Sequence, residues 1–425
     1  MFKVLANAFK VKEIRDKLLY VLLVLLIYRI GTTIPLPGMN FAAIDELRSS
    51  FGDGQTFLAL MMGGGFGTIM AMGIMPYITA SIIMQLLTVA IPKLEAIKNE
   101  GEDGRRRINQ YTRIFAVVLA VLQGAAMVYS YIGQSAQMGL PLFNHPGPLS
   151  YVLATVSMVT GTIFIMWLAE LLTERGIGNG ASFLIFANIL AGMPMTITNV
   201  WSYVSGFEIL PLVLVSLLIL AGLSLVIAFV VLVAEGERRV GIQNSKKMAG
   251  RLHGSGSYIP IKVNIAGVMS IIFAISLVQF PIQLAQFFPN TPQLQTLASY
   301  LSFSHPVGVI TYVVLIFVFT FFYTSFAVNP VQMAEDMKKS GSFIPGIRPG
   351  KPTSEFIQEI IDRLSWIGAI CYSLIAVAPV LFELITGVQA GFGGTTLLIA
   401  TGVALEFIKK LESQLLMRHY KGFLS

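Results

Sequence analysis

The chain has 425 residues, of which 55% are hydrophobic and only 12% charged, and a mean hydropathy of +0.74. A soluble fold of this length has no interior large enough to hide that much apolar side chain, so lipid must be the solvent for much of it. The net charge of +7 raises nucleic acid as a partner, but the placement of the basic residues points to a cytoplasmic membrane surface and docking sites.

In chain order, residues 1–17 are basic and Leu18–Tyr28 is strongly apolar, which raises a signal peptide. Arg29, Thr32, Thr33, Ile34, Pro35, Leu36 and Pro37 follow without a small-x-small cleavage site. The segment therefore reads as a retained first helix starting on the cytoplasmic side. A helical span needs about 20 mostly apolar residues. Stretches of that kind occur at 18–34, 76–91, 114–132, 151–169, 181–199, 211–234, 264–286, 307–328, 365–385 and 394–408. Ten spans put both termini on one side. With that count, every lysine and arginine except Arg29 and Arg48 sorts to the same side. Losing or gaining one span would scramble the sorting, so the positive-inside rule supports ten helices with both termini cytoplasmic.

Between the first two spans, Phe57–Met75 is apolar but carries Gly63, Gly64, Gly65 and Gly67. Each glycine costs a helix about 1 kcal/mol, so this is poor material for a continuous span. A sheltered half-helix fits better, either a movable segment in a cavity or a fixed re-entrant loop. A span restarts at Pro76, a residue suited to a first helical turn. On the basic side, residues 235–262 and 329–364 form long loops rich in Gly and Pro. Such length suits lipid head groups or a partner better than topology alone.

The span interiors are almost free of charge. Glu170 and Glu174 sit at the cytoplasmic end of the fourth, and Glu383 and Glu406 lie near the ends of later ones. An ion-coupled mechanism has little to work with. No HExxH, GxSxG or P-loop pattern occurs. The histidines (His145, His253, His305, His419) lack metal-site spacing, and the one cysteine, Cys371, cannot form an intrachain disulfide. The reading is therefore neither an enzyme nor a holder of metal or cofactor. Thr79, Gln85, Gln123 and Asn264 are isolated polar residues whose simplest role is interhelical hydrogen bonding.

Six motifs, spread in order over the chain, resemble the SecY family, whose members are the central subunits of the protein-conducting channel. They are Gly73–Leu87 (GIMPYITASIIMQLL), Glu100–Arg113 (EGEDGRRRINQYTR), Glu174–Phe186 (ERGIGNGASFLIF), Ile259–Met269 (IPIKVNIAGVM), Asn329–Thr353 (NPVQMAEDMKKSGSFIPGIRPGKPT) and Gly393–Glu406 (GGTTLLIATGVALE). The resemblance implies an all-α integral membrane protein of the inner (plasma) membrane. Its ten helices would form a clamshell of two pseudo-symmetric, inverted five-helix halves, 1–205 and 206–425, around a central pore. An apolar waist would fall on Ile74, Ile78, Ala181, Ile185, Ile272 and Ile399. Ala181 is smaller than the isoleucine often found there, which either widens the waist locally or leaves space for a neighbour such as Met269 or Leu397. A plug would run from Leu58 to about Met72, including Met61, Met62, Gly63, Gly64, Gly65, Phe66 and Gly67. A lateral gate between the second and third spans and the seventh and eighth would carry Thr79, Gln85, Gln123 and Asn264.

The implied function is passage of unfolded secretory polypeptides, with lateral release of membrane segments into lipid. The implied partners are SecE, SecG, the SecA motor ATPase, the ribosome through its RNA, signal sequences and nascent chains, and membrane lipids. Docking falls on Arg238, Arg239, Lys246, Lys247, Arg251 and Arg348, with the energy supplied by the motor or the ribosome. Two other readings remain: a small-solute secondary transporter, which calls for a polar midplane site, and an insertase or scaffold without an aqueous pore.

Overall fold

The computed structural model describes residues 9–421 apart from 41–42, 45–66, 138, 205–208, 245–256, 264, 266, 289–290, 304 and 387–393. The helices are α1 (Lys12–Gly31), α2 (Met75–Ala90), α3 (Pro92–Asn99), α4 (Glu102–Gln137), α5 (Pro148–Arg175), α6 (Gly180–Val204) and α7 (Ile209–Glu235). After strands β1 (Glu237–Asn244) and β2 (Ser257–Lys262) come α8 (Met269–Phe287), α9 (Pro292–Leu301), α10 (Pro306–Ala327) and α11 (Pro330–Ser340). Strand β3 (Ser342–Phe343), α12 (Lys351–Thr386) and α13 (Gly394–Lys421) complete the order. Each of the ten predicted spans falls on one of these helices, and the last runs well past its predicted end. Proline sits in the first turn of α2, α3, α5, α9, α10 and α11, where a missing N–H costs nothing.

By length and apolarity, four stretches among the described residues suffice to cross a membrane: 102–136, 148–175, 306–340 and 351–378. The pair α2 and α3, bent by 105°, makes a fifth if counted as one span. Helix α1 opens on Lys12, Glu13, Arg15, Asp16 and Lys17, which shortens its apolar stretch. Helix α3 (PKLEAIKN) is too polar to continue α2 through lipid.

Apolar residues face outward as well as inward. On α1, Leu19, Leu22, Leu23, Leu26 and Ile30 are exposed, while Leu18, Val21, Val24 and Tyr28 are buried. Water would not tolerate that exterior; hydrocarbon does. Because lipid tails are as apolar as leucine, helices here associate through close packing rather than through escape from water. Small residues permit the close approach. A Cβ on Gly161 of α5 would strike the Ile69 carbonyl oxygen, and one on Gly180 would strike that of Ala169.

Helices α2, α4 and α5 pack in succession, with α1 and α6 against α5. Helices α8, α10 and α12 pack likewise, and α13 contacts α7 and α12. The two groups meet in two sets of contacts: α8 against α2 and α4, and α6 against α7 and α13.

The segments read as loops 235–262 and 329–364 contain regular structure. Strand β1 is the centre of an antiparallel sheet of order β2-β1-β3, with Arg238 opposite Ile261, Val240 opposite Ile259 and Gln243 opposite Phe343. Val240, Ile261, Met337, Ile344, Ile357, Ile361 and Leu364 form a small core beneath it. The bundle is all-α as expected, and this sheet is an addition at its basic end.

Candidate functional site

Short local structures place the proposed waist residues. Ile74 precedes α2 as its N-cap, and Ile78 lies in the first turns of that helix. The preceding Gly67–Gly73 is a chain of turns, almost wholly buried. It is anchored by a bridge from Thr68 to Pro35, with the Leu36 N–H donating to the Gly67 carbonyl at 2.9 Å. Gly67 has φ +74°, the left-handed conformation that glycine adopts without strain. Of the proposed plug residues, Gly67 is described; Leu58, Met61, Met62, Gly63, Gly64, Gly65 and Phe66 lie outside the described residues.

Ala181 and Ile185 are one turn apart at the start of α6. That start is held by two side chains: the Ala181 N–H donates to Asn179 Oδ1 at 3.0 Å, and the Gly180 N–H to Thr173 Oγ1 at 2.9 Å. These satisfy donors that a helix N-terminus leaves open. Ile272 belongs to the first turn of α8, and Ile399 to α13.

The five isoleucines, from four helices, belong to one continuous apolar cluster, each between 0% and 6% exposed. Ala181 packs against the same cluster half-buried. Ile78, Ala181, Ile185 and Ile272, with Met269, line a cavity of about 230 Å³. Met269 and Ala181 line the same cavity; the Leu397 side chain lies outside the described ones. Toward the basic end the cavity wall turns polar, through Ser81, Gln85, Thr173, Asn179, Ser182 and Glu170. Glu170 is held from α4 by Arg113, whose Nε lies 2.6 Å from Glu170 Oε1.

Of the proposed gate residues, Gln85 alone among the described ones lines the cavity; it donates through Nε2 to Ser81 Oγ at 3.1 Å, within its own helix. Thr79 and Gln123 are half-buried on α2 and α4 and do not line it. Asn264 lies outside the described residues.

At the basic end, Arg238 and Arg239 are exposed on β1. Arg239 donates to Glu237 Oε1 at 2.8 Å and lies 4.9 Å from the centre of the Tyr258 ring. The hydrogen bond to Glu237 holds its guanidinium pKa above the usual value. Arg348 is exposed between Gly346 and Gly350, with φ of +84° and +106°. Its carbonyl oxygen accepts from Thr353 Oγ1 at 2.9 Å, which ties the turn to α12. Lys246, Lys247 and Arg251 lie outside the described residues. Sequence reasoning missed the Arg113–Glu170 pair and Tyr77, which also lines the cavity; partners 57 positions apart leave no spacing signal.

Comparison with known proteins agrees along the chain. The SecY family model matches residues 68–408. Protein translocase subunit SecY of Bacillus licheniformis is 40% identical, with 100% of both chains covered. That of Aquifex aeolicus is 41% identical over 100% of this chain and 99% of its own. Among solved structures, one described as the structure of a protein conducting channel superposes with a TM-score of 0.63 at 19% identity, covering 93% of this chain and 91% of the other. Sec61 in a canine ribosome-channel complex from the endoplasmic reticulum gives 0.60 at 18% identity, with the same coverage. The ten helices, the collinear motifs and these relatives lead to one conclusion: the chain belongs to the SecY family.

Proposed function

We propose that this chain is the protein-conducting subunit of a membrane translocase. It passes unfolded secretory polypeptides across the membrane and releases sufficiently apolar segments sideways into lipid. The observation that carries this reading is that Ile74, Ile78, Ile185, Ile272 and Ile399, from four helices, share one buried apolar cluster, in which Ile78, Ile185 and Ile272 line a cavity with a partly polar wall. Branched apolar groups give a sliding polypeptide no strong point of attachment, and ions no substitute for water.

In this reading the halves 1–205 and 206–425 hinge where α6 meets α7 and α13. They part where α8 meets α2 and α4, and residues 58–72 close the far side of the waist. Thr79, Gln85, Gln123 and Asn264 tune the parting face. Both termini and the basic sheet are cytoplasmic, in the inner (plasma) membrane. Arg238, Arg239, Lys246, Lys247, Arg251 and Arg348 receive SecA or the ribosome, whose RNA phosphates suit them. SecE and SecG complete the complex, and the partner motor or ribosome supplies the energy.

The test is contact with a passenger. With Cys371 replaced by serine, single cysteines are placed at Ile78 and Ile272, and at Ile165, which is buried in the same cluster but does not line the cavity. A polypeptide stalled in transit is expected to crosslink to the first two and not to the third. Equal labelling of all three, or none at Ile78 and Ile272, contradicts the reading.

A further inference from the structure

Helices α2, α3 and α4 behave as one piece. Helix α2 packs along α4, and α3 contacts both. The corner between α3 and α4 is tight: Gly101 has φ +86°, and a Cβ on Gly104 would strike the Ile97 carbonyl oxygen. Facing them, α8 and α10 pack together as a second piece. The 105° bend at Ile91–Pro92 turns α3 across the basic end of the bundle, away from the line of α2. Its last turn carries Lys98, whose Nζ lies 3.4 Å from the centre of the Phe326 ring in the last turn of α10.

The ring is not isolated. Phe326 stacks on Phe322, with centroids 6.4 Å apart and planes at 18°, and neighbours Tyr323 at 6.3 Å. Tyr323 contacts Phe273 of α8 edge-on at 5.9 Å, and both line the cavity. A connected aromatic row therefore runs from the Lys98 seat to the cavity wall. The ammonium is partly drawn out of water. Burial first, and the charge of Arg105 second, hold its pKa below the usual lysine value, against a weaker opposite influence from Glu95.

We propose that Lys98 on Phe326 is a latch across the cytoplasmic end of the lateral seam, setting how apolar a guest segment must be to part α2–α4 from α8 and α10. The inference rests on the channel reading above and adds a specificity-determining contact to it. A cation over a phenyl face is attracted by the ring quadrupole. Opening the seam removes that attraction, so the guest must offset it by its own transfer into lipid. A strongly apolar segment has surplus to spare; a weak one does not.

The experiment uses cells whose complete translocase carries the variant chain, and two passengers: one with a full signal sequence, one whose signal has a weakened apolar stretch. Lys98→Met and Phe326→Leu are each expected to raise export of the weak-signal passenger about two- to fivefold, as loss of one such contact at an exposed site implies. Export of the full-signal passenger stays unchanged. The double variant gains no more than either single one, because the two residues act through one contact. Lys98→Arg, which keeps a cation over the ring, retains the parent's stringency. No gain with Lys98→Met, a double effect equal to the product of the singles, or Lys98→Arg behaving as Lys98→Met overturns the latch. So does an equal fall for both passengers, which would make Lys98 a docking contact. Failure of the channel reading has a different signature: the parent protein would not export even the full-signal passenger.

Discussion

The hydroxyl of Tyr28 donates to Asn188 Oδ1 at 2.8 Å, joining α1 to α6 across 160 positions of sequence. Both side chains are buried, and in a hydrocarbon surround neither finds a replacement in bulk water. Tyr28→Phe leaves the amide without this donor and is expected to cost about 1–3 kcal/mol. The measurement is the thermal unfolding midpoint in detergent, which should fall for Tyr28→Phe and recover in part when Asn188 is also made leucine.

Gly161 gives a second test of packing. Its Cα faces the backbone of Ile69, so an added methyl meets a carbonyl oxygen that cannot rotate away. Gly161→Ala should destabilise the fold by about 1–3 kcal/mol and displace the buried turns Gly67–Gly73. Gly133→Ala is the control, since a Cβ there meets nothing within 4 Å. Faster proteolysis of Gly161→Ala than of Gly133→Ala at the segment before α2 is the expected result.

Arg348 gives a test of docking. Two left-handed glycines and the Thr353 hydrogen bond present its side chain outward without burying it. Arg348→Glu should therefore leave the unfolding midpoint unchanged. Secretion driven by the motor partner should fall by at least about tenfold, the size of effect expected of an interface anchor. Unchanged secretion removes Arg348 from the docking surface.

Much of the bundle is legible in the amino-acid sequence, because length, hydropathy and the sorting of lysine and arginine all act one segment at a time. Orientation about each helix axis is not. Leu18 and Val21 face protein while Leu19 and Leu22 face outward, yet both environments are apolar and select the same residue types. Periodicity, so useful in water, is silent here. The basic sheet escapes for another reason. ERRVGIQN and SYIPIK carry glycine, proline and charge, and become strands by pairing with each other and by covering Ile357 and Ile361 on a distant helix. The waist positions came from family resemblance rather than from the residues themselves. The Arg113–Glu170, Tyr28–Asn188 and Lys98–Phe326 contacts join elements whose relative placement only the folded chain defines.

The central claim is that aliphatic side chains from separate helices seal a passage, and ion conductance of the resting complex tests it most directly. Ile78 and Ile272 line the cavity from two different helices, α2 and α8. Replacing each with glycine removes its side chain from the seal. Planar bilayers holding the resting parent complex should be tight, while those holding Ile78→Gly or Ile272→Gly should pass small ions, the double variant most of all. Bilayers that stay as tight with both isoleucines replaced as with neither would contradict the account.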